Sequence, residues 1–132
     1  MDSNAQNPRD ETMPVAELRQ IVNEFVAERN WQRYHSPKNL SMALAVEVSE
    51  LMEHFQWWTE EEIRTRLQDP SVRRQVGEEL ADVCSYLLSL VNVLGFDMTT
   101  LLIEKMRKNR EKYPPEENQG DYRKPGASSP EV

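Results

Sequence analysis

Apolar residues recur at helical rather than strand spacing through most of the 132 residues. Leu18, Ile21, Val22, Phe25 and Val26 share one side of a helix predicted from Val15 to about Arg29, with Pro14 suited to a first turn. The pattern breaks over Trp31 to Pro37. A second helix then runs from about Asn39 to Phe55, with Leu44, Val48, Leu51 and Phe55 in one stripe. Gln56-Trp57-Trp58 ends it, and Thr59-Glu60-Glu61-Glu62 reads as a capping box opening a short helix to about Gln68. Asp69-Pro70 starts a long helix, with Val76, Leu80, Val83 and Leu87 in its stripe, which Gly95 stops. Asp97 caps a last helix to about Lys112, and Pro114-Pro115 closes it. The expected fold is therefore all-α, with four principal helices and one short extra helix, and connections of these lengths favour antiparallel packing.

Two phrases interrupt the apolar stripes with acid: Glu47-Val48-Ser49-Glu50 and Glu79-Leu80-Ala81-Asp82. Each puts two carboxylates three residues apart, on one face of a helix. Glu47 and Glu79 fall inside the stripes, Glu50 and His54 lie along the edge of the first, and Asp82 and Tyr86 take the matching places in the second. A carboxylate left unpaired in a core costs several kcal/mol. Salt bridges to Lys or Arg, or a solvated margin, would answer for one such phrase, but two on matching faces, with few inward cations nearby, point to a ligand set. Oxygen donors without a thiolate suit Mg²⁺ or Mn²⁺ better than zinc. A di-iron bundle would want Glu-x-x-His, and the residue three before His54 is Leu51. The two faces echo one another, yet their surroundings differ too much to establish duplication.

Composition narrows the class without selecting a function. Hydrophobic residues at 38% and charged residues at 30% fit one helical domain able to bury a modest core. The net charge of −7 argues against nucleic-acid binding, which needs a basic face. An anionic substrate would need its charge offset, as Mg²⁺ would do. No apolar run reaches the roughly 20 residues of a membrane span, and Met1 to Met13 lacks a signal-peptide core, so no membrane partner and a cytoplasmic location are expected. The single cysteine, Cys84, is expected to be buried as a small apolar group. Gly77 lies inside the long helix, where close packing, room for a ligand or chance would each account for it. Residues 1–13 and 114–132 are expected to be a disordered segment and a mobile tail around a domain spanning 14–113.

The order Glu47-x-x-Glu50, spacer, Glu79-x-x-Asp82 resembles the signature of the all-α, MazG-like nucleoside triphosphate pyrophosphohydrolases. The phrases Phe25 to Trp31, His35 to Leu40, Phe55-Gln56-Trp57, Glu79 to Val83, and Lys105-Met106 to Asn109-Arg110 resemble the dCTP pyrophosphatase branch of that family. This similarity covers roughly Leu18 to Pro114. It implies an antiparallel bundle assembled as a dimer of dimers, and Mg²⁺-dependent hydrolysis of dCTP or a related nucleoside triphosphate. Glu47, Glu50, Glu79 and Asp82 would hold the metal, with Glu50 the candidate to orient or deprotonate water. Asn23, Trp31, His35, Trp57 and Tyr86 become candidates for base or sugar contact, with His35 also a candidate for phosphate. Lys105 and Asn109, four apart on one face, become phosphate candidates. Asn23 stands where the vertebrate dCTP enzymes carry histidine, which weakens the case for strict cytosine selectivity. The alternatives are a broad house-cleaning hydrolase of modified nucleotides and a non-catalytic helical interaction module.

Overall fold

A computed structural model of the protein describes residues 7–120. Six α-helices are present among them: α1 Val15–Glu28, α2 Pro37–Glu53, α3 Glu60–Arg66, α4 Pro70–Leu94, α5 Met98–Lys112 and α6 Pro115–Asn118. A single 3₁₀ turn, Gln32–Tyr34, joins α1 to α2, and no strand occurs among the described residues. The all-α expectation therefore holds. The structure divides into two compact units, one ending at Phe96 and the other beginning at Asp97, and each is described by itself.

Local chemistry sets the helix starts. Ser36 Oγ accepts the Asn39 N–H at 3.1 Å and Pro37 occupies the first turn, so α2 begins two residues before the predicted Asn39. Thr59 and Glu62 form the predicted capping box, with the Thr59 N–H donating to Glu62 at 2.7 Å. Asp69 caps α4 by accepting from the Ser71 N–H at 2.8 Å. The end of α1 carries more structural consequence. Asn30 adopts φ 56°, the Trp31 N–H reaches back to the Val26 carbonyl, and the Asn30 N–H reaches the Ala27 carbonyl, each at 3.0 Å. This is a Schellman closure with Asn in the place usually taken by Gly. It folds Trp31 back onto α1, where its ring meets Phe25 edge-to-face with centroids 5.7 Å apart.

In the first unit α4 is the central element, packed against α2 and α1. Both pairs run antiparallel. His54 and Phe55, at the end of α2, share a small cavity with Val72 and Val76 near the start of α4, whereas Glu47 meets Glu79 further along. On the other side, Arg19 Nε donates to Asn92 Oδ1 at 2.9 Å and Asn92 Nδ2 donates to the Arg19 carbonyl at 3.1 Å, clasping α1 to the far end of α4. The buried apolar residues are Val26, Leu40, Val76, Leu88 and Val91.

Several positions depart from expectation. Val48, Leu80 and Leu87, predicted to face the core, are exposed, Leu80 at 52%. The contact face of α4 is narrower than its apolar arc, because two helices in a small unit cover only part of its circumference. Cys84 is exposed for the same reason. Gly77 has no close neighbour: a Cβ added there would meet nothing within 4 Å. Residues 9–13 form a hydrogen-bonded turn, and the short helix α6 falls within the segment 114–132 named above as a tail. The rest of that tail, from 121, and residues 1–6 lie outside the described residues. No single described helix is long and apolar enough to cross a membrane.

In the second unit, Asp97 caps α5 through the Thr100 N–H at 2.9 Å, and Arg107 pairs with Glu111 one turn on at 2.7 Å. No residue of α5 is buried within the described chain.

Candidate metal centre and adjoining cavity

The antiparallel register of α2 and α4 brings the two acidic phrases together. Ligand oxygens from Glu47, Glu50 and Glu79 lie within 4.8 Å of one another. Asp82, one turn along α4 from Glu79, is outside that trio but within electrostatic reach of both Glu47 and Glu79. Glu47 and Glu79 are half-buried and Glu50 is exposed. One oxygen of Glu47 and one of Glu79 are shut off from solvent and find no hydrogen-bond donor among the described residues.

The electrostatics follow from this crowding. Burial raises the Glu47 carboxyl above its ordinary value of 4.5, reinforced by a hydrogen bond with Glu50 and by the charges of Glu50, Asp82 and Glu79. Burial also raises Glu79, followed by the charge of Glu50, while His54 works in the opposite direction. Carboxylates brought this close repel one another unless a proton lies between them. A cation meets the same need, and an all-oxygen trio with two donor-less atoms fits a hard divalent ion such as Mg²⁺ or Mn²⁺. The residues present therefore fit the expected group.

A cavity of about 480 Å³ adjoins the carboxylates through Asp82. Its α1 wall carries Ile21, Val22 and Phe25; Trp31 and His35 close it from the connection; and Asp82, Ser85, Tyr86 and Ser89 line it from α4. The Arg29 guanidinium stacks 3.7 Å from the Phe25 ring centroid and donates to the Phe25 carbonyl at 2.9 Å, bracing the aromatic wall. An aromatic wall opposite a polar strip suits a heterocyclic ligand whose charged end lies toward the acids.

The structure thus gathers Trp31, His35, Tyr86 and Asp82 on one cavity, and the three glutamates beside it. His35 is half-buried. Asn23 is not on that cavity; it lines a smaller one of about 50 Å³ together with His35. Trp57 is 80% exposed and lines neither. Lys105 and Asn109 share a face of α5, as spacing predicts, but they belong to the second unit. Reading the sequence missed Ile21, Val22, Phe25, Ser85 and Ser89. The first three look like ordinary core positions. The two serines could have been found from their spacing, three and seven residues after Asp82.

The chain is similar to known proteins in sequence and fold. The rat (Rattus norvegicus) and human dCTP pyrophosphatase 1 are each 40% identical to the chain over 100 residues. The match covers 76% of this chain and 59% of each relative, so the chain spans less than two thirds of the length of these curated relatives. A solved pyrophosphatase from Archaeoglobus fulgidus superposes with a TM-score of 0.72 at 38% identity, covering 82% of this chain and 99% of that one. The MazG-like family pattern matches residues 42–125, which include both acidic phrases. The paired carboxylates on antiparallel helices are accordingly set in a chain that belongs to the MazG-like family.

Proposed function

We propose that the protein hydrolyses nucleoside triphosphates to the monophosphate and pyrophosphate in a divalent-metal-dependent reaction, with dCTP or a related deoxynucleotide the favoured substrate. The observation that carries this reading is the pair of occluded, donor-less oxygens on Glu47 and Glu79, beside a cavity with an aromatic wall. The choice of dCTP is supported by the 40% identity to the dCTP pyrophosphatases.

Glu47, Glu50, Glu79 and Asp82 would hold Mg²⁺, with Mn²⁺ a substitute. When bound, the ion offsets the negative charge of phosphate oxygens and lowers the pKa of an attacking water. Glu50, being exposed, keeps a lone pair free to orient that water and take its proton. The Phe25 and Trp31 rings offer a surface for the base, and Tyr86 stands one turn from Asp82, where sugar and phosphate would pass. Asn23, Trp57, Lys105 and Asn109 are assigned to the substrate by resemblance alone. With a net charge of −7, the protein draws in an anion only through cations held at the acids.

The working form proposed is a cytoplasmic homo-oligomer, a dimer of dimers. Its support is the apolar surface each unit leaves uncovered, including Ile21, Val48 and Leu80 in the first and Leu102 and Ile103 in the second. A second reading, a broader house-cleaning hydrolase, is favoured by the withdrawal of Asn23 from the larger cavity, since no amide from α1 is then offered to the base.

Turnover of a panel of ribo- and deoxyribonucleoside triphosphates with Mg²⁺, scored for pyrophosphate against phosphate, tests the proposal. Pyrophosphate release strongest with dCTP supports the first reading, and release spread across bases supports the second. Glu50→Gln and Asp82→Asn should each abolish turnover while leaving helicity intact. Activity retained in both sinks the mechanism. No turnover with any nucleotide, with Mg²⁺ or Mn²⁺, favours an interaction module.

A further inference from the structure

Ser89 is 5% exposed and is the buried polar residue of the first unit's core. It lies seven residues after Asp82 on α4, two turns along the same face and about 10 Å along the axis. Asp82, Ser85, Tyr86 and Ser89 all line the 480 Å³ cavity, so the strip runs from the acids toward the cavity's inner end. Ser89 and His35 also line the smaller, 50 Å³ cavity, whose other polar lining comes from Asn23, Gln32 and Asn92. Ser89 and His35 therefore stand at the partition between the two spaces.

The hydroxyls of Ser89 and Ser85, both on the cavity, are free of the bond that holds three other helical hydroxyls to their own backbone. Ser41, Ser49 and Thr65 each turn back and donate to a carbonyl of their own helix, at 2.8, 2.6 and 3.1 Å. Ser89 makes no such bond and engages no described residue. Although the residue is buried, its oxygen is not among the side-chain atoms shut off from solvent, so the hydroxyl opens on the cavity, where water or a ligand can satisfy it. Its position fixes which part of a ligand it meets. With phosphates at the carboxylates and the ring against Phe25 and Trp31, the group reaching the Ser89 end is the polar edge of the base.

We infer that Ser89 is a specificity-determining residue, whose hydroxyl hydrogen-bonds the polar edge of the pyrimidine base. This inference rests on the pyrophosphohydrolase reading and names the part of that site which reads the base. A site built to hydrogen-bond a polar group rejects ligands that leave its own groups unpaired, so the effect falls on discrimination between bases.

The test compares kcat/KM for dCTP and for the 2-pyrimidinone analogue lacking the 4-amino group, in wild type, Ser89→Ala and Ser89→Cys. Cysteine, slightly larger than serine, leaves no void but is a poor hydrogen-bonding group, so it separates lost bonding from lost packing. Wild type should favour dCTP, and both variants should shrink that preference at least fivefold. Parallel losses with both substrates that leave the ratio unchanged would mark Ser89 as structural and overturn the assignment. So would unchanged kinetics, or a wild type that does not discriminate. Wild type inactive on every nucleotide defeats the pyrophosphohydrolase reading itself, and this assignment with it, a result distinct from a preserved ratio. Binding of free deoxycytidine without metal, followed by isothermal titration calorimetry, gives a second readout that both variants should weaken.

Discussion

Glu47 and Glu79 bear the strongest electrostatic constraint of any residues in the site. Their carboxyls titrate above 4.5 in the folded protein because burial and neighbouring acids disfavour the charged form. In a flexible unfolded chain those neighbours disperse. A folded-state pKa above the unfolded one means stability is gained as protons bind, fully present below the unfolded value and lost as pH rises through the folded one. Without metal, the melting temperature should therefore rise as pH is lowered toward 4.5, and Glu47→Gln should flatten that trend. At neutral pH, Mg²⁺ should raise the melting temperature of wild type by ligand linkage and leave Glu47→Gln nearly unmoved. Scanning calorimetry across pH, with and without Mg²⁺, checks both. A wild-type curve that is indifferent to the ion would remove the case for a metal centre.

At the scale of elements, two positions separate backbone preference from packing. Gly77 sits in mid-helix with open space where a Cβ would go, so Gly77→Ala should stabilise the folded protein by about 0.5–1 kcal/mol through helix propensity. Chemical denaturation reads this directly, and destabilisation instead would reveal a neighbour beyond this chain. Asn30 is the reverse case. Its φ of 56° closes α1 and directs Trp31 onto Phe25, so Asn30→Ala should cost about 1 kcal/mol and raise KM as the aromatic wall loosens. Asn30→Gly should preserve both. The helices themselves were legible because their signals are local: proline at first turns, Asp69, Asp97 and the Thr59–Glu62 box all act where the sequence places them. The start of α2 was misplaced because Ser36-Pro37 serves both as a helix-disfavouring pair and as an N-cap with first-turn proline, and the hydrogen bond to Asn39 decides for the latter.

At the scale of the whole molecule, few apolar residues among those described are fully buried and many large ones are not. The proposed assembly would cover that surface. Light scattering after size exclusion should report a mass near four times 15.5 kDa. Ile103→Lys, a charge on the exposed face of α5, should shift it toward smaller species. A monomer in wild type at micromolar concentration would refute the assembly.

The sequence by itself determined the helical class, the helix caps and the two acidic phrases, because spacing of three and four residues is already a statement about one helix face. It also indicated that Glu47 and Glu79 face inward, since both interrupt apolar stripes. Only tertiary structure decided which oxygens converge, because the distance between residues 47 and 79 depends on the register of α2 against α4. It likewise decided that Leu80 and Cys84 stay uncovered and that Asn23 turns to a different cavity from Trp31. The cavity shows the same limit most plainly. Ile21 and Ser89 look like a core residue and a helix-surface residue in the sequence, and they become walls of one space only when α1 closes over α4.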